Sequence, residues 1–107
     1  MENKEAPVIS NEFELGEDET IFVKSTTNSK GLSTCIFVSA VKEQRKTLKL
    51  RGIGAGANNQ MTKAVIIAKG KLTEKGISVN VDMYFKDINA PDGSGMTAIE
   101  YLLTFKN

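Results

Sequence analysis

A chain of 107 residues, 40% hydrophobic and 25% charged, is enough for one soluble domain with one core. It has no histidine, a single cysteine, no basic-then-apolar signal pattern and no apolar run near the roughly 18–20 residues that a bilayer span needs, so neither secretion nor a membrane-spanning helix is expected, and an intracellular setting (cytoplasm, nucleoid or nucleus) is. The net charge of +1 conceals an asymmetry: residues 1–20 hold seven acids and one base, net −6, while residues 21–107 hold 13 bases and six acids, net +7.

Residues 1–20 have few apolar side chains and no sustained period, and read as a mostly disordered acidic leader. Val8, Ile9, Phe13 and Leu15 leave room for a short docked piece. An acidic leader on a basic domain either screens a basic surface or simply solubilises the chain. The domain proper is expected over 21–107.

Ile21 to Ser25 predicts a first strand, and the polar run Thr26–Ser29 a loop whose Asn28 or Ser29 caps the next helix. That helix is expected from Lys30 to Gln44, with Leu32, Cys35, Ile36 and Ser39 at helical spacing and Phe37, Val38 and Val41 widening the apolar face. Cys35 on that face reads as a small core residue. Thr47 to Ile53 predicts a second strand, with Leu48 and Leu50 facing one way and Lys49 and Arg51 the other. A second helix follows from about Ala57–Asn59 to Lys69, with Met61, Ala64, Val65, Ala68 and Leu72 inward. Ile66 stands outside that stripe, as an ordinary exposed residue or a subunit contact. Gly70 is the expected stop and Leu72–Gly76 the turn.

Ile77 to Lys86 alternates cleanly, and Pro91-Asp92-Gly93 marks a hairpin tip before a return strand from Met96 to Lys106, which points Thr97, Ile99, Tyr101, Leu103 and Phe105 to one face. The order β-α-β-α-β-β predicts an α/β (α+β) two-layer sandwich with a four-stranded mixed sheet and both helices on one face. Right-handed crossovers place the third strand beside the first two, and the hairpin adds an antiparallel edge.

The chemistry centres on Leu50–Lys71, where a strand passes through Gly52, Gly54 and Gly56 into a helix. Bare backbone N–H groups at such a helix start suit a phosphate or another anion; the plainer reading is a tight turn with close helix–sheet packing. Gly52, Gly54 and Ala57 formally match G-x-G-x-x-A, but after the second strand and without the following acid of a dinucleotide site. Lys24, Lys30, Lys63 and Lys69 are surface lysines whose clustering near helix starts favours nucleic acid. Asn58, Asn59 and Gln60 either cap the helix or offer amides to a phosphate, a sugar or a second copy. No histidine base exists, and no carboxylates are spaced as an acid/base couple, so neither catalysis nor a metal or cofactor is expected.

Gly52–Gly70, GIGAGANNQMTKAVIIAKG, resembles the signature of the stage V sporulation protein S (SpoVS) family, small bacterial proteins of the Alba superfamily. Lys24-Ser25 with Asn28-Ser29, and Phe85–Ile88 with Met96–Ile99, are similar to that family's first loop and last hairpin, so the resemblance covers about residues 21–105. It implies the Alba-like β-α-β-α-β-β fold, dimers or higher oligomers, DNA or RNA binding without catalysis, and a role in sporulation or development. By position it assigns the nucleic-acid contacts to Lys24, Lys30, Arg51, Asn58, Asn59 and Lys63, beside the glycine-turn amides at Gly54 and Gly56. The chain departs from the family pattern in its acidic leader, which suggests an added regulatory segment, and in its hairpin tip Ala90–Gly95, which has no base. An Alba-like protein-interaction module that no longer binds nucleic acid, and a site for a small anion at Gly52–Gln60, are the other two expectations.

Overall fold

The computed structural model describes residues 20–89 and 92–107. Residues 1–19, all of the expected leader but Thr20, and the hairpin residues 90 and 91 lie outside them; Thr20 opens the first strand. The chain runs β1 (Thr20–Val23), α1 (Ser29–Val41), β2 (Thr47–Gly52), α2 (Ala55–Glu74), β3 (Ser78–Asn89) and β4 (Gly95–Lys106).

Asn28 caps α1: its Oδ1 accepts the Gly31 N–H at 2.9 Å. The helix stops at Val41, three residues short of the expected end. Gln44 turns into the left-handed region at φ 55°, and the Arg45 N–H closes on the Ser39 carbonyl at 2.9 Å. Helix α2 is longer at both ends than its pattern suggested. It starts directly after Gly54, and it runs through Gly70 to Glu74. A mid-helix glycine costs about 1 kcal/mol, whereas burying Leu72 contributes about 1.5–3 kcal/mol; the leucine wins and is fully buried. The real turn is Lys75–Gly76, where Gly76 has φ 78° and Ile77 N–H returns to the Leu72 carbonyl at 2.9 Å.

The sheet order is β1-β2-β4-β3, with β1 parallel to β2 and both other pairings antiparallel. The expectation that the third strand would lie beside the first two is corrected: the return strand β4 takes the interior and β3 the edge. Tyr101, Leu103 and Phe105 of β4 are buried under the helices, while Val79 and Val81 of β3 are only half-covered. In the interior position β4 buries its stripe under both helices, whereas at the edge β3 leaves Met83 and Phe85 exposed. Both helices lie on this one face. Leu32, Ile36, Met61, Ala64 and Leu72 meet Ile21, Leu48, Leu50 and Leu103 there as the core. Cys35 is buried among them; burial, helped by the charge of Glu43, pushes its thiol up to about 11, so it is the inert core residue expected.

Two glycines make opposite demands. A Cβ on Gly52 would stand 2.8 Å from Met61 Sδ and 2.9 Å from Ala57 Cβ, whereas one on Gly70 would meet nothing within 4 Å. Gly52→Ala is therefore expected to destabilise the fold by about 1–3 kcal/mol through overpacking. Gly70→Ala is expected to stabilise it by about 0.5–1 kcal/mol. Urea midpoints of the two variants, at unchanged slope, check both signs.

Candidate nucleic-acid interface

The carboxyl ends of β1 and β2 and the amino ends of both helices converge at one end of the sheet. Here α2 begins without a side-chain cap, on Gly54 at φ 92°, and with no acid in its first turn. The first intrahelical bond is Asn58 N–H to the Gly54 carbonyl at 3.1 Å, so the N–H groups of Ala55, Gly56 and Ala57 precede the ladder. Gly54, Gly56 and Ala57 line a cleft of about 510 Å³ whose other walls include Phe22, Lys24, Ser25 and Ile53. Gly56 lets the β1–α1 loop close against the helix, since a Cβ there would stand 2.7 Å from Ser25 Cβ. That loop is held from both sides. Thr27 Oγ1 accepts the Lys24 N–H at 2.8 Å, and Gln60 donates its amide to the Thr27 carbonyl at 2.6 Å. The cleft thus has a positive helix end, an exposed lysine and a fixed rim, an arrangement able to take an anionic oxygen.

The sheet face without helices carries a second constellation. Phe22, Arg51, Glu100 and Tyr84 pair across all four strands in one row. Glu100 is only 2% exposed. Its Oε1 accepts Arg51 Nε and Nη2, each at 2.7 Å, and its Oε2 accepts the Tyr84 hydroxyl at 2.5 Å. The Arg51 guanidinium lies 5.2 Å from the Phe22 ring centre. Burial pushes the Glu100 carboxyl up, but the Tyr84 and Arg51 hydrogen bonds and the Arg51 charge outweigh it and hold the group below its ordinary value. Tyr84 is pushed up from 10 to about 12 by burial, then by its bond to Glu100 and that group's charge. Among the described residues, no group of three or more His, Cys, Asp or Glu is placed to hold a metal ion.

Over residues 19–106 the sequence matches the family model of stage V sporulation protein S, SpoVS. The chain belongs to the SpoVS family. Its fold is also similar to a solved structure, Alba from Thermoplasma volcanium, at a TM-score of 0.55 and 13% identity, over 79% of this chain and 98% of that one. At that identity the likeness is one of fold, and it matches the Alba-like architecture read from the sequence.

Within this SpoVS fold the residues named from sequence do not form one patch. Lys24, Gly54 and Gly56 line the cleft, and Lys30 is exposed in the first turn of α1. Asn59 and Lys63 are exposed one turn apart on α2, running away from the cleft. Asn58 turns inward, and its Oδ1 accepts the Tyr101 hydroxyl at 3.1 Å. Arg51 lies on the open sheet face and its charge is matched by Glu100. Sequence reading passed over Glu100, Tyr84 and Phe22, because strand alternation marks a face but not which charges meet across strands. Gln60, expected to cap the helix or to offer its amide to a phosphate, a sugar or a second copy, instead donates that amide to the Thr27 carbonyl and positions the loop.

The Glu100 network carries a pH signature. Tyr84 has a raised folded value, so its contribution to stability is complete below about 10 and is lost as pH climbs through about 12. Glu100 has a lowered one, so its contribution is present above the ordinary carboxylate range and lost as pH falls through the folded value. Tyr84→Phe is expected to cost about 1 kcal/mol and to remove the alkaline-side loss. Denaturant midpoints recorded across the pH range for both chains check this.

Proposed function

We propose that this protein is a non-enzymatic nucleic-acid-binding protein of the Alba/SpoVS type, which grips the phosphate backbone of DNA or RNA as a homodimer, in a sporulation or developmental role. The observation that carries the reading is the uncapped start of α2 at Gly54–Ala57, opening beside Lys24 into a cleft, with Lys30 exposed in the first turn of α1 at the same end of the sheet. Backbone amides and lysines at one sheet end suit phosphate contacts that position a strand without reading its bases.

The dimer reading rests on an apolar strip. Ile66 of α2 is 65% exposed, and Met83 and Phe85 of β3 are 66% and 76% exposed. Met83 is the cross-strand partner of Tyr101, whose hydroxyl contacts Thr62 at 2.7 Å, and Ile66 follows Thr62 by one turn. The three therefore share the helix side of the edge strand. Large apolar side chains grouped in this way fit a second copy of the chain.

A second reading is favoured by one observation. Arg51 is neutralised by Glu100, which removes a base from the surface, so an Alba-like protein-interaction module that does not bind nucleic acid is the competing assignment.

Fluorescence anisotropy with duplex DNA and with single-stranded RNA, over a range of salt, tests the first reading. Affinity is expected to fall steeply with salt, and Lys24→Ala with Lys30→Ala to flatten the logarithmic slope by about two units per protomer. No binding at low salt, or binding indifferent to salt, would reject this reading and favour the interaction module. Ile66→Asp is expected to convert the dimer to a monomer in analytical ultracentrifugation while the circular dichroism stays unchanged; an unaltered sedimentation coefficient rejects this interface.

A further inference from the structure

The opposite end of the sheet holds a second cavity, of about 750 Å³, between the carboxyl ends of α1 and α2 and the end of β4. Its apolar lining includes Val41, Ile77 and Phe105, and its cations include Lys46, Lys75 and Lys106. These three lysines have no ion-pair partner among the described residues, whereas Arg45 beside them pairs with Glu43 at 2.8 Å. Two helix carboxyl ends point here and bring roughly half a negative charge each, which the lysines more than offset. An apolar floor under unpaired cations fits an acidic peptide that also carries apolar side chains.

We propose that this cavity binds such a peptide, and that its occupant is the chain's own residues 1–19. Two observations select that occupant. The segment has seven acids against one lysine, with Val8, Ile9, Phe13 and Leu15 interspersed, so both its charge and its apolar content complement the cavity. It joins the domain at this end: β1 begins at Thr20, in a parallel ladder with β2, and β2 itself begins just after Lys46.

Reach does not decide the matter, because 19 extended residues span up to about 60 Å and would also arrive at Lys24 and Lys30. Local charge and the point of attachment do decide it. The attachment point, Thr20, lies the length of β1 from the glycine-turn cleft, so this assignment stands whether or not the cleft binds nucleic acid.

The test uses the full chain with a nitroxide on Glu14→Cys in a Cys35→Ala background, read by paramagnetic loss of amide signals in nitrogen-15 spectra. Val41, Ile77 and Phe105 are expected to lose signal, while residues around Lys24 and Gly56 keep theirs. The combined reversal Lys46→Glu, Lys75→Glu and Lys106→Glu is expected to restore the lost signals. Raising salt to about 1 M, where the screening length falls to about 3 Å, should restore them in the unreversed chain. No localised loss, a loss centred on Lys24–Gly56, or a loss indifferent to salt and charge reversal overturns the proposal. A loss seen only when labelled and isotope-enriched copies are mixed also overturns it, and transfers the occupant to a second copy.

Discussion

The close approach of one helix start to two strand ends is the constraint on which the rest of this molecule depends. Gly52 lets Met61 and Ala57 lie directly over β2, and Gly56 lets the same helix meet Ser25 in the loop after β1. Any side chain at either position would drive the amino end of α2 away from the sheet. With both missing, the uncapped N–H groups after Gly54 come to rest between Lys24 and the ends of two parallel strands. The packing requirement and the anion-binding geometry are thus met by the same residues. This is why the glycines read from sequence as either a tight turn or a phosphate site: in the fold they make the tight turn, and that turn builds the cleft.

The open sheet face shows how the fold changes the meaning of a charge. Arg51 and Glu100 stand 49 residues apart and meet as direct partners in the β2–β4 ladder. Burying a carboxylate is costly unless its oxygens are bonded, and here both are taken, one by Arg51 and one by Tyr84. Removing either donor would leave a charge with little solvent to compensate it. The row therefore ties all four strands together on the side where no helix covers them. In exchange, one of the bases that make the domain net positive is withdrawn from outside use.

The two ends of the sheet are electrostatically distinct despite both being rich in lysine. At one, helix amino ends and lysines add their positive potentials, so an anion meets backbone donors as well as cations. At the other, lysines face helix carboxyl ends over an apolar floor, which suits a flexible acidic segment better than a rigid phosphate backbone. The parallel arrangement of β1 and β2, each followed by a helix on the same face, is what separates these environments.

Much of the architecture was already determined by local pattern. Element order, the two-layer arrangement, the inward stripe of α2 and the buried Cys35 follow from periodicity and capping chemistry, which act within a few residues. So does the glycine-rich passage from strand to helix that identified the family. Tertiary structure alone decided which strand lies inside the sheet, because that depends on how much apolar surface β3 and β4 each bury under the same two helices. It alone decided that Gly70 stays helical, since burial of Leu72 outweighs the local preference to stop. Only the fold, likewise, could pair Arg51 with Glu100, turn Asn58 toward Tyr101 and leave Lys24 exposed beside the uncapped helix. Those outcomes rest on contacts between residues distant in the chain, and no window of sequence contains both partners.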